Sequence, residues 1–165
     1  METTVRNANA KDLPAVLEIV NQAILHTTAN YNYDPQTLAE QQSWLQQKQS
    51  HGFPIIVAEQ AGKIVGFGTY GTFREKMGYR FTVEHSVYVF DGFSGNGIGR
   101  LLLETLINLA KNQGLHVMIG AIDAENKGSI AFHEKFGFTD CGVIKQAAFK
   151  FDRWLDLQFM QLILK

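Results

Sequence analysis

The segment Phe93-Ser94-Gly95-Asn96-Gly97-Ile98-Gly99-Arg100 constrains the fold more than any other stretch of the chain. An apolar run, Ser86 to Phe90, precedes it, and a strongly helical pattern, Leu101 to Lys111, follows. The order is strand, glycine-rich turn, helix. Glycines let backbone N–H groups come close to a ligand, and a helix start adds unpaired donors and a partial positive charge. Gly95, Asn96, Gly97, Ile98, Gly99 and Arg100 therefore form a predicted seat for phosphate.

Two common owners of such a seat fit poorly. A nucleotide-hydrolase loop needs Gly-Lys-Ser/Thr, whereas this turn carries Gly-Ile-Gly-Arg. A dinucleotide site needs repeated βαβ units and an acidic residue roughly 20 residues past the glycines, and the chain matches neither well.

At 165 residues the chain suits one domain, residues 1–165, with a sizeable core. A net charge of −1 argues against a nucleic-acid binder that relies on a broad basic field. No apolar run approaches membrane-spanning length, and Met1 to Asn7 lacks the apolar core of a signal peptide. One cysteine, Cys141, forms no internal disulfide, so a reducing cytoplasmic setting is expected.

Along the chain the pattern predicts a first strand over Val5–Asn9. A helix follows, capped by Asp12 with Pro14 in its first turn. Asp34-Pro35 repeats that signal and opens a second helix through Gln49. Ile55–Ala58 and Ile64–Tyr70 read as strands around a turn at Ala61-Gly62-Lys63. A polar loop spans Gly71–Gly78, and Phe81–Val89 is a longer strand before the glycine turn. The helix after that turn stops at Gly114. Val117–Ile122 is a buried strand, Lys127–Phe136 a short helix, and Thr139–Ile144 and Trp154–Leu164 the last strands. This order predicts an α/β chain with a mixed, mostly antiparallel sheet. It holds one parallel strand pair and carries helices on both faces.

These residues resemble the Gcn5-related N-acetyltransferases (GNAT). That superfamily carries Arg/Gln-x-x-Gly-x-Gly/Ala after a strand, cradling the pyrophosphate of acetyl-CoA; Gly97-Ile98-Gly99 matches the glycines. Asn126 to Phe138 resembles its second signature, an Asn before a helix that ends in Gly-Phe. Ser94 stands where the family usually has Arg or Gln, yet the backbone donors from Gly95 to Arg100 do not depend on that side chain. A narrower resemblance, to the phosphinothricin and methionine sulfoximine/sulfone acetyltransferase branch, rests on four segments. They are Thr82 to Val89, Phe132-His133-Glu134, Thr27-Thr28-Ala29 and Lys150 to Asp156.

Acetyl transfer to an amine requires a deprotonated amine, a polarised thioester and a stabilised thiolate. An alkylammonium, with a pKa of about 8 to 10, cannot attack. The resemblance makes Glu84 the candidate general base, acting through water, with burial raising its pKa toward usefulness. His133 is the second candidate catalytic residue, standing where many relatives have a tyrosine. Glu84 and His85 alternate along a strand, so they face opposite sides, and His85 is assigned a structural role. Backbone groups of Val87, Tyr88 and Val89 are expected to hold the pantetheine arm, with Val89 N–H polarising the thioester. Asn126 is expected to bond the pantetheine or the departing product, to cap its helix, or both. Arg100 and Lys127 are candidate phosphate cations.

The loop Thr72–Arg80 is expected to face the amine substrate, with Arg74, preferred over Arg80, on its carboxylate and Glu75, Lys76, Glu84, His85 and Ser86 nearby. Phe73, Tyr31 and Tyr33 are candidate walls of a side-chain pocket. His26, His51 and His116 lack metal-ligand spacing, and no metal site is expected. The resemblance implies a homodimer that acetylates the α-amine of methionine sulfoximine, methionine sulfone or phosphinothricin in a ternary complex. A GNAT enzyme for a polyamine or peptide N-terminus is the competing reading. A non-catalytic acyl-CoA sensor is another, disfavoured by the joint presence of Glu84 and His133.

Overall fold

A computed structural model describes all residues, 1–165. The strands are β1 (Thr3–Asn7), β2 (Ile55–Gln60), β3 (Lys63–Thr72), β4 (Thr82–Val89), β5 (Val117–Asp123), β6 (Thr139–Lys150) and β7 (Arg153–Ile163). The helices are α1 (Leu13–His26), α2 (Leu38–His51), α3 (Ile98–Asn112) and α4 (Lys127–Glu134). They build one sheet of order β1-β2-β3-β4-β5-β7-β6. β4 and β5 run parallel, and every other neighbouring pair is antiparallel, as the sequence predicts.

Alternation along β2 sends neighbouring side chains to opposite faces. Val57 packs with Phe67 and with Val16, Ile19, Val20 and Ile24 of α1. Ile56 and Ala58 face the other way, into the larger cluster with Leu102, Leu103 and Leu106 of α3. Helix α3 buries Ile98, Leu102, Leu103, Leu106, Ile107 and Ala110. Each large aliphatic side chain so buried contributes about 1.5–3 kcal/mol. That packing also fixes the glycine turn, which leads directly into the same helix.

Three boundaries differ from the sequence reading. Asp12 does not cap α1 with its side chain; its carboxylate takes Arg6 at 2.8 Å and reaches back to Asn9 N–H at 2.8 Å. Helix α2 begins at Leu38, capped by Thr37, because Asn21 ties down both backbone groups of Gln36 and keeps that stretch out of the helix. β6 runs on to Lys150 through two register shifts. Gly142 and Gln146, at φ 105° and 52°, break the alternation that would have revealed it.

The parallel pairing of β4 with β5 is short: Thr82↔Val117, Val83↔Met118 and Glu84↔Ile119. Beyond Glu84 the two strands part while each continues. Phe81 O accepts from His116 N–H on the β5 side, and Phe90 N–H donates to Val65 on the β3 side, both at 2.8 Å. Backbone groups alternate in direction along a strand, so those of Val87 and Val89 face the opening.

Candidate active site

The gap between β4 and β5 opens a cleft through the sheet. Its cavity of 390 Å³ is lined by Glu84 to Tyr88 on one strand and Gly120 to Asp123 on the other. Thr28 to Tyr31 close one side, and Asn126, Ser129 and His133 the other. Because the cleft crosses the sheet, Glu84 and His85 both line it although their side chains leave β4 on opposite faces. Val87 and Val89 bring unpaired backbone groups to this region, whereas those of Tyr88 point to β3. Of the three backbone segments expected to hold an extended arm, two are therefore oriented for it.

Glu84 is half-buried on the face covered by α1 and α2. Burial pushes its carboxyl above the usual carboxylate range, and the Arg74 guanidinium pulls part of that shift back. Arg74 is exposed, with its guanidinium 5.3 Å from the Phe73 ring centroid. Glu75 and Lys76 are also exposed and, like Arg74, line neither this cleft nor the cavities at the glycine turn and over α2. Phe73 stands edge-on to Tyr79 and Phe159, joining the loop to β7.

His85 and His133 meet on the other face. His133 Nδ1 lies 2.7 Å from Ser129 O, which only accepts, so Nδ1 carries the proton. In the neutral ring Nε2 is then a bare acceptor. His85 Nε2, 2.9 Å away, must be the donor. That leaves His85 Nδ1 bare, and it is buried without a partner. Both His133 nitrogens are thus occupied, and neither is free to serve a thiolate. Gly120 makes the pairing possible, since a Cβ there would lie 3.2 Å from His133 Nε2 and 3.3 Å from His85 Nε2.

Next to the cleft, the glycine turn bounds a second cavity of 540 Å³ with Val89, Phe93, Ser94, Arg100 and Glu104. Gly97 is the N-cap of α3 at φ 78°, a left-handed conformation, and gives no side-chain cap. The first backbone bond into the helix is Leu101 N–H to Gly97 O, so the N–H groups of Ile98, Gly99 and Arg100 remain for an anion. This cradle fits a phosphorylated ligand such as CoA. Arg100 is exposed and paired with Glu104 at 2.8 Å. Asn96 turns its side chain to Phe93 O. Lys127 lies outside this cavity, and Lys135, unmarked in the sequence reading, lines it with Phe132 and Phe136. Asn126 is the cap of α4, accepting from Ser129 N–H at 3.1 Å.

Further side chains hold the loop after α1 against the sheet. Thr28 donates to Asp123 at 2.5 Å and ties the loop after α1 to the end of β5. Buried Lys150 donates to Thr27 O and Asn30 O, 2.7 and 2.5 Å, and latches the same loop. Tyr31 lines the cleft with its hydroxyl unpartnered. Tyr33 instead bonds Phe149 O.

A sheet split at one parallel pair, with a helix start bearing free N–H groups beside the split, is the arrangement that the resemblance to acetyl-CoA-dependent transferases implies. The family model of the acetyltransferase (GNAT) domain matches residues 5–159. The L-methionine sulfoximine/L-methionine sulfone acetyltransferase of Pseudomonas aeruginosa PAO1 is 47% identical, over 98% of this chain and 95% of that protein. The crystal structure of an N-acetyltransferase from Staphylococcus aureus Mu50 superimposes with a TM-score of 0.98 at 44% identity, covering 100% of each chain. A phosphinothricin acetyltransferase from Sinorhizobium meliloti, solved with acetyl-CoA, gives 0.95 at 36% identity, covering 99% of this chain and 89% of that one. The chain belongs to the GNAT acetyltransferase family.

Proposed function

We propose that the protein transfers an acetyl group from acetyl-CoA to the α-amine of a small amino-acid analogue: methionine sulfoximine, methionine sulfone or phosphinothricin. The observation that carries this reading is the placement of Glu84. Its carboxyl, made more basic by burial, stands where the split in the sheet begins. The names of the Pseudomonas and Sinorhizobium relatives support the substrate class.

Acetyl-CoA supplies the activated thioester. The N–H groups at the start of α3 hold its phosphates, with Lys135 at the rim. The free backbone groups of Val87 and Val89 hold the pantetheine, and the Val89 N–H polarises the acyl oxygen. Glu84, through water, removes one proton from the ammonium. The amine nitrogen then bonds the acyl carbon as the C–S bond breaks. The second proton lost by nitrogen passes through solvent to the sulfur. Arg74 pairs with the substrate carboxylate and Ser86 lines the amine's approach. His133 acts through its bond to His85, as a positioning residue that holds α4 against the cleft. Release of thiol from acetyl-CoA across a panel of amines tests the reading.

The protein is further proposed to be a cytoplasmic homodimer. Ile144, Phe149 and Trp154, 50%, 41% and 62% exposed on the β6–β7 hairpin, support that assembly.

A further inference from the structure

We infer that a cavity over α2 binds the oxidised sulfur or phosphorus group at the end of the substrate's side chain, with Lys48 and Gln41 as its ligands. This inference rests on the acetyl-transfer reading above and names a specificity site for it. The cavity, 410 Å³, lies between α2, β3 and β4; Gln41, Trp44, Lys48, Phe67 and Glu84 are among its walls.

Three observations converge there. Gln41 is 2% exposed, its Nε2 donates to Gln36 at 2.5 Å, and its Oε1 has no partner. A buried acceptor left unpaired is costly, and a ligand N–H would satisfy it. Lys48 is the second. Its Nζ donates to Tyr70 O at 2.8 Å, and none of the ion pairs includes it. An ammonium has three donors, so two remain for an oxygen of a ligand. Burial draws this ammonium down to about 8, so it is still largely charged at neutral pH.

The third observation is position. Gly71 pairs directly with Glu84 across the β3–β4 ladder. A Cβ on Gly71 would lie 2.7 Å from Lys48 Nζ, so the ammonium occupies the space a side chain there would fill. Directly opposed residues of an antiparallel pair share a face. Lys48 therefore stands across from the proposed base on the same side of the sheet. Neighbouring strands are spaced about 5 Å apart. The α-amine and the sulfur of a methionine derivative are four bonds apart, roughly 5 Å when extended. A ligand with its amine at Glu84 thus brings its oxidised terminus to Lys48.

The chemistry selects among side chains. Sulfone, sulfoximine and phosphinate oxygens accept from Lys48. The sulfoximine N–H also donates to Gln41 Oε1. Trp44 and Phe67 receive the terminal methyl group. A thioether or an alkyl chain satisfies neither polar ligand.

The test compares L-methionine sulfone with L-norleucine, which has similar length and no oxygen at its end. Lys48→Met is expected to raise KM for the sulfone by about tenfold more than for norleucine, the scale of a lost charged hydrogen bond. Gln41→Leu is expected to raise KM for the sulfoximine more than for the sulfone. A second readout needs no turnover. In a Trp154→Phe background, quenching of Trp44 emission by methionine sulfone is expected to saturate in the otherwise unchanged protein and to weaken with Lys48→Met. Equal KM changes for sulfone and norleucine, or quenching indifferent to Lys48→Met, would overturn the inference. Quenching that depends on Lys48 without any acetylation would support the cavity as a binding site and sink the acetyl-transfer reading instead.

Discussion

His85 Nε2 lies 2.9 Å from His133 Nε2, with the two rings stacked at a centroid distance of 5.0 Å and an interplanar angle of 29°. The pair is uncharged. Burial, then the nearness of His133, pulls His85 down to about 3, and burial pulls His133 below the usual imidazole range against the Ser129 carbonyl. An unfolded imidazole titrates at about 6.5. The unfolded chain thus binds more protons than the native one as pH falls below that value. Stability contributed by the pair is complete above it and is lost on acidification toward the native values.

At pH 7.5, above the ordinary imidazole value from which both rings are pulled down, ¹⁵N-resolved imidazole spectra should show both rings neutral, His133 protonated on Nδ1 and His85 on Nε2. A protonated ring or the reverse tautomers would contradict the assignment. Gly120→Ala should separate the rings, remove that tautomer pattern and destabilise the fold by about 1–3 kcal/mol, the usual cost of overpacking.

Glu84→Gln keeps the shape of the side chain and removes the proposed base. It should lower kcat by roughly 100-fold or more, the usual share of general-base catalysis. It should also abolish the acidic limb of the pH profile. That limb reflects loss of the carboxylate as pH falls through a value raised by burial. A variant with an unchanged rate and profile would remove Glu84 from the mechanism.

The β6–β7 hairpin places Trp154, 62% exposed, beside Phe149 at a ring-centroid distance of 5.0 Å. Burying such a surface against a second copy removes a contiguous apolar patch from water. Sedimentation equilibrium should report a dimer for the protein and a shift toward monomer for Trp154→Asp. A monomer at every concentration of the unaltered protein would contradict the proposed assembly.

What the sequence showed and what it hid separate along physical lines. The glycine turn was legible because its signal is local: free N–H groups follow from Gly97 and the helix it starts. Asn126 was legible as a cap for the same reason. The opposite facing of Glu84 and His85 followed from strand periodicity. The latch from Lys150 to Thr27 was not legible, since it joins residues 123 apart. Gln41 and Lys48 sit on a helix with little apolar patterning, and only the sheet beneath them shows what they face. The turn Phe151-Asp152, with φ of 51° and 59°, lacks the glycine or asparagine that usually marks such a conformation, so β6 read as shorter than it is.

The most direct test of the central claim is the rate of thiol release from acetyl-CoA, with the product's acetylated nitrogen identified by NMR. Saturable turnover is expected with L-methionine sulfone, L-methionine sulfoximine and phosphinothricin, acetylated on the α-nitrogen, and little turnover with polyamines or peptide N-termini. Binding of acetyl-CoA without turnover on any amine, or preference for a polyamine, would contradict it.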